Sequence, residues 1–403
     1  MNEKLVPKLR FNGFNDEWTT FKLGEIITLM QSGLSRQLSV EDIGLPVLRS
    51  NNIVNGQIDL SDIKFWHLVD TKGSKTENYF LKKDDLLVNF INSLGKMGKS
   101  AVYNDELKRP TIFTTNLMRL NFKKNINTYF IYYFFNTTYY KNYIDKITKP
   151  AVNQASFTTK DFKKMELKIP TMPEQFKISK FLKHIDKKIE LLENKLGYYQ
   201  DFKKYLMQQI FTQKLRFEEF DDEWKPYKIG EISKTYSGGT PSTSKKEYYE
   251  GDIPFIKSGE INNSHTEQYI TEDAIKNSSA KKVKKGDLLL ALYGATSGEV
   301  AISKIDGAIN QAVLKIENNM DNYFQYCYFL LYKDQIVHKY IQGGQGNLSA
   351  NIIKKLEFNY PTLPEQKKIS QFLMLIENKI ILLENEYQIY QDFKKGLLQQ
   401  MFI

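Results

Sequence analysis

The chain has 403 residues, 41% hydrophobic and 13% aromatic, which is too long for one ordinary domain and apolar enough to exclude global disorder. Its net charge of +10 suits a polyanionic partner but is unevenly spread, with 25 Lys+Arg against 17 Asp+Glu in residues 1–169 and 19 against 20 in residues 212–360. The one cysteine, Cys327, excludes an internal disulfide and a cysteine-based zinc site, and no run approaches the ~18 apolar residues of a membrane-spanning helix.

The opening MNEKLVPKLRF has no apolar run behind its lysines, so no secretory leader is expected and the chain reads as cytoplasmic. Arg10–Ile26 (RFNGFNDEWTTFKLGEI) introduces a region whose strand candidates include Asp85–Ile91 and Thr111–Leu120, between turns rich in Gly, Asn, Ser and Lys. Ser93–Ser100 (SLGKMGKS) ends in Gly-Lys-Ser, but a phosphate-cradling loop needs glycine where Ser93 stands, so the segment reads as a basic turn. Tyr129–Tyr143 reads as a helix whose aromatics pack on the sheet as core.

Pro170–Phe211 is different in kind. Pro173 suits a first helical turn, and Glu174 is favourable at the positive end of the helix dipole. Apolar residues then recur at alternating spacings of three and four: Leu182, Ile185, Ile189, Leu192, Leu196, Tyr199, Leu206 and Ile210, interrupted by Lys203. A period near 3.5 sustained over about four heptads is a coiled-coil seam, here on a helix of ~55 Å. Glu174 and Gln175 admit two readings, contact with a partner or capping of the helix start.

After this helix the chain repeats itself. Arg216–Ile232 (RFEEFDDEWKPYKIGEI) restates the opening segment, with Trp224 matched to Trp18 and both read as core. Pro254–Ile261 resembles Pro46–Ile53, and Val283–Leu290 resembles Leu81–Val88. Further strand candidates are Asp287–Tyr293 and Ala308–Ile316, followed by a helix over Tyr323–Tyr340. Pro361–Phe402 aligns without a gap on Pro170–Phe211 at an offset of 191, with 27 of 42 positions identical. The alignment preserves the acid and amide as Glu365 and Gln366, and the seam interruption as Lys394. The chain is therefore two copies of one module, organised as residues 1–169, 170–211, 212–360 and 361–403.

Connectivity sets the expected architecture. The first region enters the N-terminal end of the central helix and the second leaves its C-terminal end, placing them at opposite ends of a rod. The last helix must return antiparallel to bury its seam, which brings Phe402 near Arg10. The expected fold class is mixed α/β (α+β), with two pseudo-twofold-related globular domains separated by two long antiparallel coiled-coil helices.

No catalytic chemistry is legible. The sequence has neither an Asn-Pro-Pro-aromatic tetrapeptide nor a glycine-rich cofactor loop after an early strand, and His67, His184, His265 and His338 lack metal-ligand spacing. Two globular heads on a rod suit a duplex DNA target of two short half-sites around an unread spacer, since ~10 base pairs span roughly 34–36 Å. The candidate contacts are donor-rich turn residues: Ser32, Arg36, Arg49, Asn51, Lys96 and Lys99 in the first half, and Ser237, Thr240, Ser242, Lys257, Tyr293 and Asn347 in the second.

The paired PTxPEQ helices and the paired RFxxFxDEWxx[FY]K[LI]GEI entries, with Ser237–Ser242 (SGGTPS) and Tyr293–Gly298 (YGATSG), resemble the specificity subunits of Type I restriction-modification systems over essentially the whole chain. In the first half, Gln31–Arg36 (QSGLSR) stands where SGGTPS would. The resemblance implies two target-recognition domains, with spacer helices acting as ruler and docking surface, and no catalysis by this chain alone. It also implies two methyltransferase (modification) subunits that methylate adenine and two restriction (translocase-nuclease) subunits. S-adenosylmethionine, ATP and Mg2+ are expected on those partners, and no cofactor on this chain. Two alternatives stay open: a recognition subunit from a related system with a fused methyltransferase-nuclease partner, and a coiled-coil adaptor that binds no DNA.

Overall fold

The computed structural model describes residues 6–151, 154–341 and 347–403, so the first five residues of the leader reading lie outside it. The chain divides into two compact units, Met1–Glu193 with Glu386–Ile403, and Asn194–Asn385. Each unit contains one copy of the repeated module and a stretch of both long helices.

In the first unit, strands β1 (Ile27–Ser32), β4 (Leu86–Asn89), β5 (Ser100–Val102) and β7 (Leu117–Phe122) form an antiparallel sheet in the order β1-β7-β4-β5. A smaller sheet, in the order β6-β2-β3, joins β2 (Gly44–Leu48), β3 (Lys64–His67) and β6 (Ile112–Phe113). Strand β4 explains why two layers meet here. Its residues Leu86, Leu87 and Val88 are all fully buried, and they alternate between two cores as the pleat demands. Leu86 and Val88 join the aromatic cluster around Phe130, Tyr133 and Phe134, whereas Leu87 joins Leu48 and Phe113 on the opposite face.

The second unit repeats the plan. Its larger sheet runs β8-β15-β12-β13, from β8 (Ser233–Ser237), β12 (Leu288–Ala291), β13 (Val300–Ile302) and β15 (Val313–Asn318). The smaller sheet runs β10-β9-β14-β11, from β9 (Ile253–Ile256), β10 (Tyr269–Ile270), β11 (Lys281–Val283) and β14 (Gly307–Ile309). Leu288 and Leu290 face the aromatic core with Phe324 and Tyr328, and Leu289 and Ala291 face the other.

Two expected strands need correction. Thr111–Leu120 is divided into β6 and β7, and Ala308–Ile316 spans the end of β14 and most of β15. In both, the chain leaves one sheet, turns for three residues and enters the other. Hydrophobic periodicity misses the break because the strands on either side are buried on both faces. The expected helix Tyr129–Tyr143 is also two, Thr128–Phe134 and Thr138–Ile147, because Thr137 accepts a hydrogen bond from Tyr140 N at 3.3 Å and starts the second. Tyr323–Tyr340 lies in a single helix, Asn322–Ile341.

The central helix runs Met172–Phe211 and the last helix Leu363–Gln400. In the first unit, Lys188 pairs with Glu386 at 2.9 Å and Lys394 with Asp186 at 2.6 Å. Residue numbers rise along one helix as they fall along the other, so the segments are antiparallel there. In the second unit the buried Lys203 pairs with Glu377. The offset of 191 carries Asp186 onto Glu377 and Lys203 onto Lys394. The lysines that interrupt the apolar seam are therefore its matched cross-helix ion pairs.

The PTxPEQ segments anchor each module to its helix. Arg10 forks onto the buried Glu174 through Nε at 2.7 Å and Nη2 at 2.8 Å, and Arg216 forks onto the buried Glu365 at 2.8 Å from both nitrogens. Gln175 accepts from Asn127 N at 2.8 Å, and Gln366 accepts from Asp321 N at 3.1 Å. These four side chains are internal ties, neither partner contacts nor helix caps. Trp18 and Trp224 are core as expected, and Leu9 N donates to Gln400 O at 2.9 Å, joining the chain's start to its end within the first unit.

Cys327 is fully buried on the helix Asn322–Ile341, and burial pushes its thiol up to about 12. Its thiolate fraction at neutral pH is negligible, so native protein should resist a thiol-specific reagent that labels it at once in denaturant. Rapid native labelling would contradict this packing. No described helix is long and apolar enough to cross a membrane.

Candidate nucleic-acid interface

The loops expected to contact DNA converge, in each unit, on the three-residue turn between the two sheets. In the first unit that turn is Thr114–Asn116. Strand β6 runs parallel to β2, with Phe113 opposite Leu48, and Thr114 N continues the contact by donating to Leu48 O at 2.9 Å. Leu34 N donates to Phe113 O at 2.8 Å, and Ser32 Oγ donates to Thr115 O at 3.1 Å. Phe90 N donates to Asn116 O at 3.2 Å, and Leu117 N closes the turn on Thr114 O at 3.0 Å. From there Asn89 Nδ2 donates to Ser50 O at 3.3 Å, and Lys96 Nζ donates to Asn51 Oδ1 at 3.1 Å.

The second unit ties the same knot around Asn310–Ala312. Asn310 N donates to Ile256 O at 3.4 Å, Leu292 N to Ala312 O at 2.8 Å, and Val313 N to Asn310 O at 3.2 Å. Thr240 Oγ1 donates to Gln311 Oε1 at 2.6 Å. Leu348 N, beside the exposed Asn347, donates to Leu292 O at 3.0 Å.

The divergent motifs QSGLSR and SGGTPS share a structural core here. A Cβ on Gly33 would overlap the Phe113 carbonyl oxygen, and one on Gly238 would overlap the Ile309 carbonyl oxygen. Each glycine is required by this close approach of two backbones at the turn. The two segments are therefore equivalent in position although only one carries the full motif.

The expected contact residues fall into two groups. Arg36 and Arg49 are engaged within the fold. Arg36 reaches both Asp70 oxygens at 2.7 Å and Ser74 Oγ at 2.8 Å, and its guanidinium holds the Asp70 carboxyl well below the usual carboxylate range. Arg49 Nη2 reaches Asp62 Oδ2 at 2.6 Å and Asp62 O at 2.5 Å. This geometry favours loop bracing over phosphate contact for both. Ser32, Asn51 and Lys99 are exposed and Lys96 is half-buried in the first unit. In the second, Thr240, Ser242, Tyr293 and Asn347 are exposed, with Ser237 and Lys257 half-buried. Thr240, Thr243, Lys246, Tyr249, Lys257 and Asn310 border a groove there. Ser93–Ser100 forms a one-turn 3-10 element followed by strand β5, which lacks the helix that a phosphate-cradling loop would open.

Thr115, Asn116, Asn310 and Gln311, which the structure places at these turns, were not singled out from the sequence. The available signal was a polar interruption of an otherwise apolar strand pattern, Thr114–Asn116 between Ile112–Phe113 and Leu117–Met118, and Asn310–Gln311 between Ala308–Ile309 and Val313–Leu314.

Comparison with known proteins follows the duplication. The family model of the Type I restriction modification DNA specificity domain matches residues 15–197 and again 221–390. A Methanocaldococcus jannaschii protein provisionally named the type I restriction enzyme MjaX specificity subunit is 25% identical over 98% of this chain and 95% of its own length. The Escherichia coli EcoR124I/EcoR124II specificity subunit is 26% identical over 57% of this chain and 62% of its own. Among solved structures, the S subunit of a Type I restriction-modification system from M. genitalium superposes with a TM-score of 0.67 at 15% identity, covering 99% of both chains.

Proposed function

The chain belongs to the Type I restriction-modification DNA specificity family, and from that premise we propose that it reads a bipartite duplex target, one half-site per unit, while docking the subunits that methylate and cleave. It is a specificity subunit with two target-recognition domains and performs no catalysis itself. The observation that carries the reading is the repeated knot of loops. Three matching backbone hydrogen bonds hold the same turn in both units, given by Thr114 N and Asn310 N, by Phe90 N and Leu292 N, and by Leu117 N and Val313 N, yet the side chains mounted on it differ. A constant frame with exchangeable polar side chains suits two domains that read different sequences by one geometry.

Docking is supported by the helices. Leu191, Tyr198 and Tyr205 on the central helix are exposed at seven-residue spacing, as are Leu375, Leu382 and Ile389 on the last. Tyr198, Leu382 and Ile389 are 64%, 63% and 65% exposed, a cost that covering by partner helices would remove. We assign these faces to two modification subunits, which bind S-adenosylmethionine and methylate adenine. Two restriction subunits using ATP and Mg2+ complete the cytoplasmic assembly.

Co-expression with the modification subunits, followed by single-molecule sequencing of host DNA, tests the reading. Methyladenine confined to one split motif, and lost when this chain is omitted, is expected. Methylation indifferent to the chain would sink the proposal. The ruler role has its own test. Four residues inserted after Leu192, with four in the last helix after Tyr387 to preserve the seam, should lengthen the unread spacer and leave both half-sites intact. Altered half-sites at unchanged spacing would disprove the ruler.

A further inference from the structure

Resting on the specificity-subunit reading, we propose that the sheet-to-sheet turns Thr114–Asn116 and Asn310–Ala312 are base-reading elements, with Gln311 recognising an adenine edge in the half-site of the second unit. Three observations carry this. The first is position: each turn is bound by backbone or side chain to loops on both sides. The elements bearing Ser32, Phe90 and Leu48 meet at the first turn, and those bearing Thr240, Leu292 and Ile256 meet at the second.

The second is the contrast between backbone and side chains. The turn is closed by Leu117 N on Thr114 O in one unit and by Val313 N on Asn310 O in the other. On this shared backbone stand Thr-Thr-Asn and Asn-Gln-Ala, with no identity at any position. A turn held at both ends loses little freedom on binding, so its side chains meet the groove preorganised.

The third is chemistry. None of the six residues is charged, which suits base edges better than phosphates, whereas the neighbouring Lys96 and Lys257 suit the backbone. Gln311 is exposed, and its carboxamide offers the adjacent acceptor and donor that adenine N6 and N7 require. Thr240 donates to Gln311 Oε1, leaving that oxygen a second lone pair and both amide hydrogens for the base. Thr240 is thus a positioning residue. In the first unit, Thr115 and Asn116 are half-exposed, with no side-chain hydrogen bond among the described residues.

The test uses the full chain co-expressed with its modification subunits, read by sequencing of methyladenine. The exchange N310T/Q311T/A312N should alter one or two adjacent bases of one half-site, leaving the other half-site and the spacer as they were. Gln311→Ala should relax one position, lowering discrimination there roughly ten- to a hundred-fold. Thr240→Val should relax the same position, and Thr240→Ser should restore it. An unchanged motif in the triple variant overturns the proposal. So does loss of methylation at every site from an assembled complex, which would mark the turn as framework. If the parent chain directs no split motif, the specificity-subunit reading fails instead, before any variant is compared.

Discussion

Arg216→Met is expected to destabilise the second unit by about 3–5 kcal/mol, because it strands a carboxylate that has no access to water. The Glu365 side chain is fully buried, and Arg216 meets both of its oxygens at 2.8 Å. Among the described residues, only the Trp224 indole N–H, at 3.2 Å from Oε1, would remain as a side-chain donor to it. Arg216 Nη2 also donates to Asp222 O at 2.5 Å, so the same guanidinium fastens the entry segment to the helix start. Arg10→Met strands Glu174 in the first unit, where the Trp18 indole nitrogen has no partner among the described residues, so its cost should be at least as large. Urea unfolding followed by circular dichroism reads both losses. The double variant R216M/E365Q should recover part of the loss, since it removes the buried charge. A single-variant loss below about 1 kcal/mol would show that the fork contributes no more than a surface ion pair.

Exchanging residues 27–165 for those of a relative should abolish methylation at the original target and create a motif changed in one half-site alone. The cut points favour a clean graft. Thr19–Lys22 pairs with Glu166–Ile169, and Leu23 N donates to Met165 O at 2.8 Å, so the two ends of the exchanged segment leave the unit side by side. The constant partners Arg10, Glu174 and Trp18 lie outside the graft. Sequencing of methyladenine distinguishes the outcomes: changes in both half-sites, or in neither, would separate the sheets of this unit from sequence reading.

Much of this architecture was legible because the chain contains its own comparison. The seam positions, the paired entries and the matched tryptophans stand out through duplication, and the seam keeps its helical period because one face of each helix is buried. The role of Lys203 and Lys394 was hidden, since an isolated lysine in a seam looks like a defect until the facing acid is known. The breaks at Thr114 and Asn310 were hidden for another reason. Ile112–Phe113 and Leu117–Met118 are equally apolar, and the polar residues between them mark an interruption without saying that the two sides belong to different sheets. Arg36 and Arg49 illustrate the converse limit, because a basic turn residue looks the same in sequence whether it meets a phosphate or an aspartate across the fold.

The four seam charges also give the helix pair a polarity code. Each copy carries an acid in its first half, Asp186 or Glu377, and a lysine in its second, Lys203 or Lys394. Laid parallel in register, two such helices would set acid against acid and lysine against lysine; laid antiparallel, they satisfy both pairs. The repeat is therefore self-complementary in one orientation only. Recombination between chains anywhere inside this 42-residue repeat would splice one reading domain to another and regenerate the same seam, so new targets can arise without a new interface having to evolve.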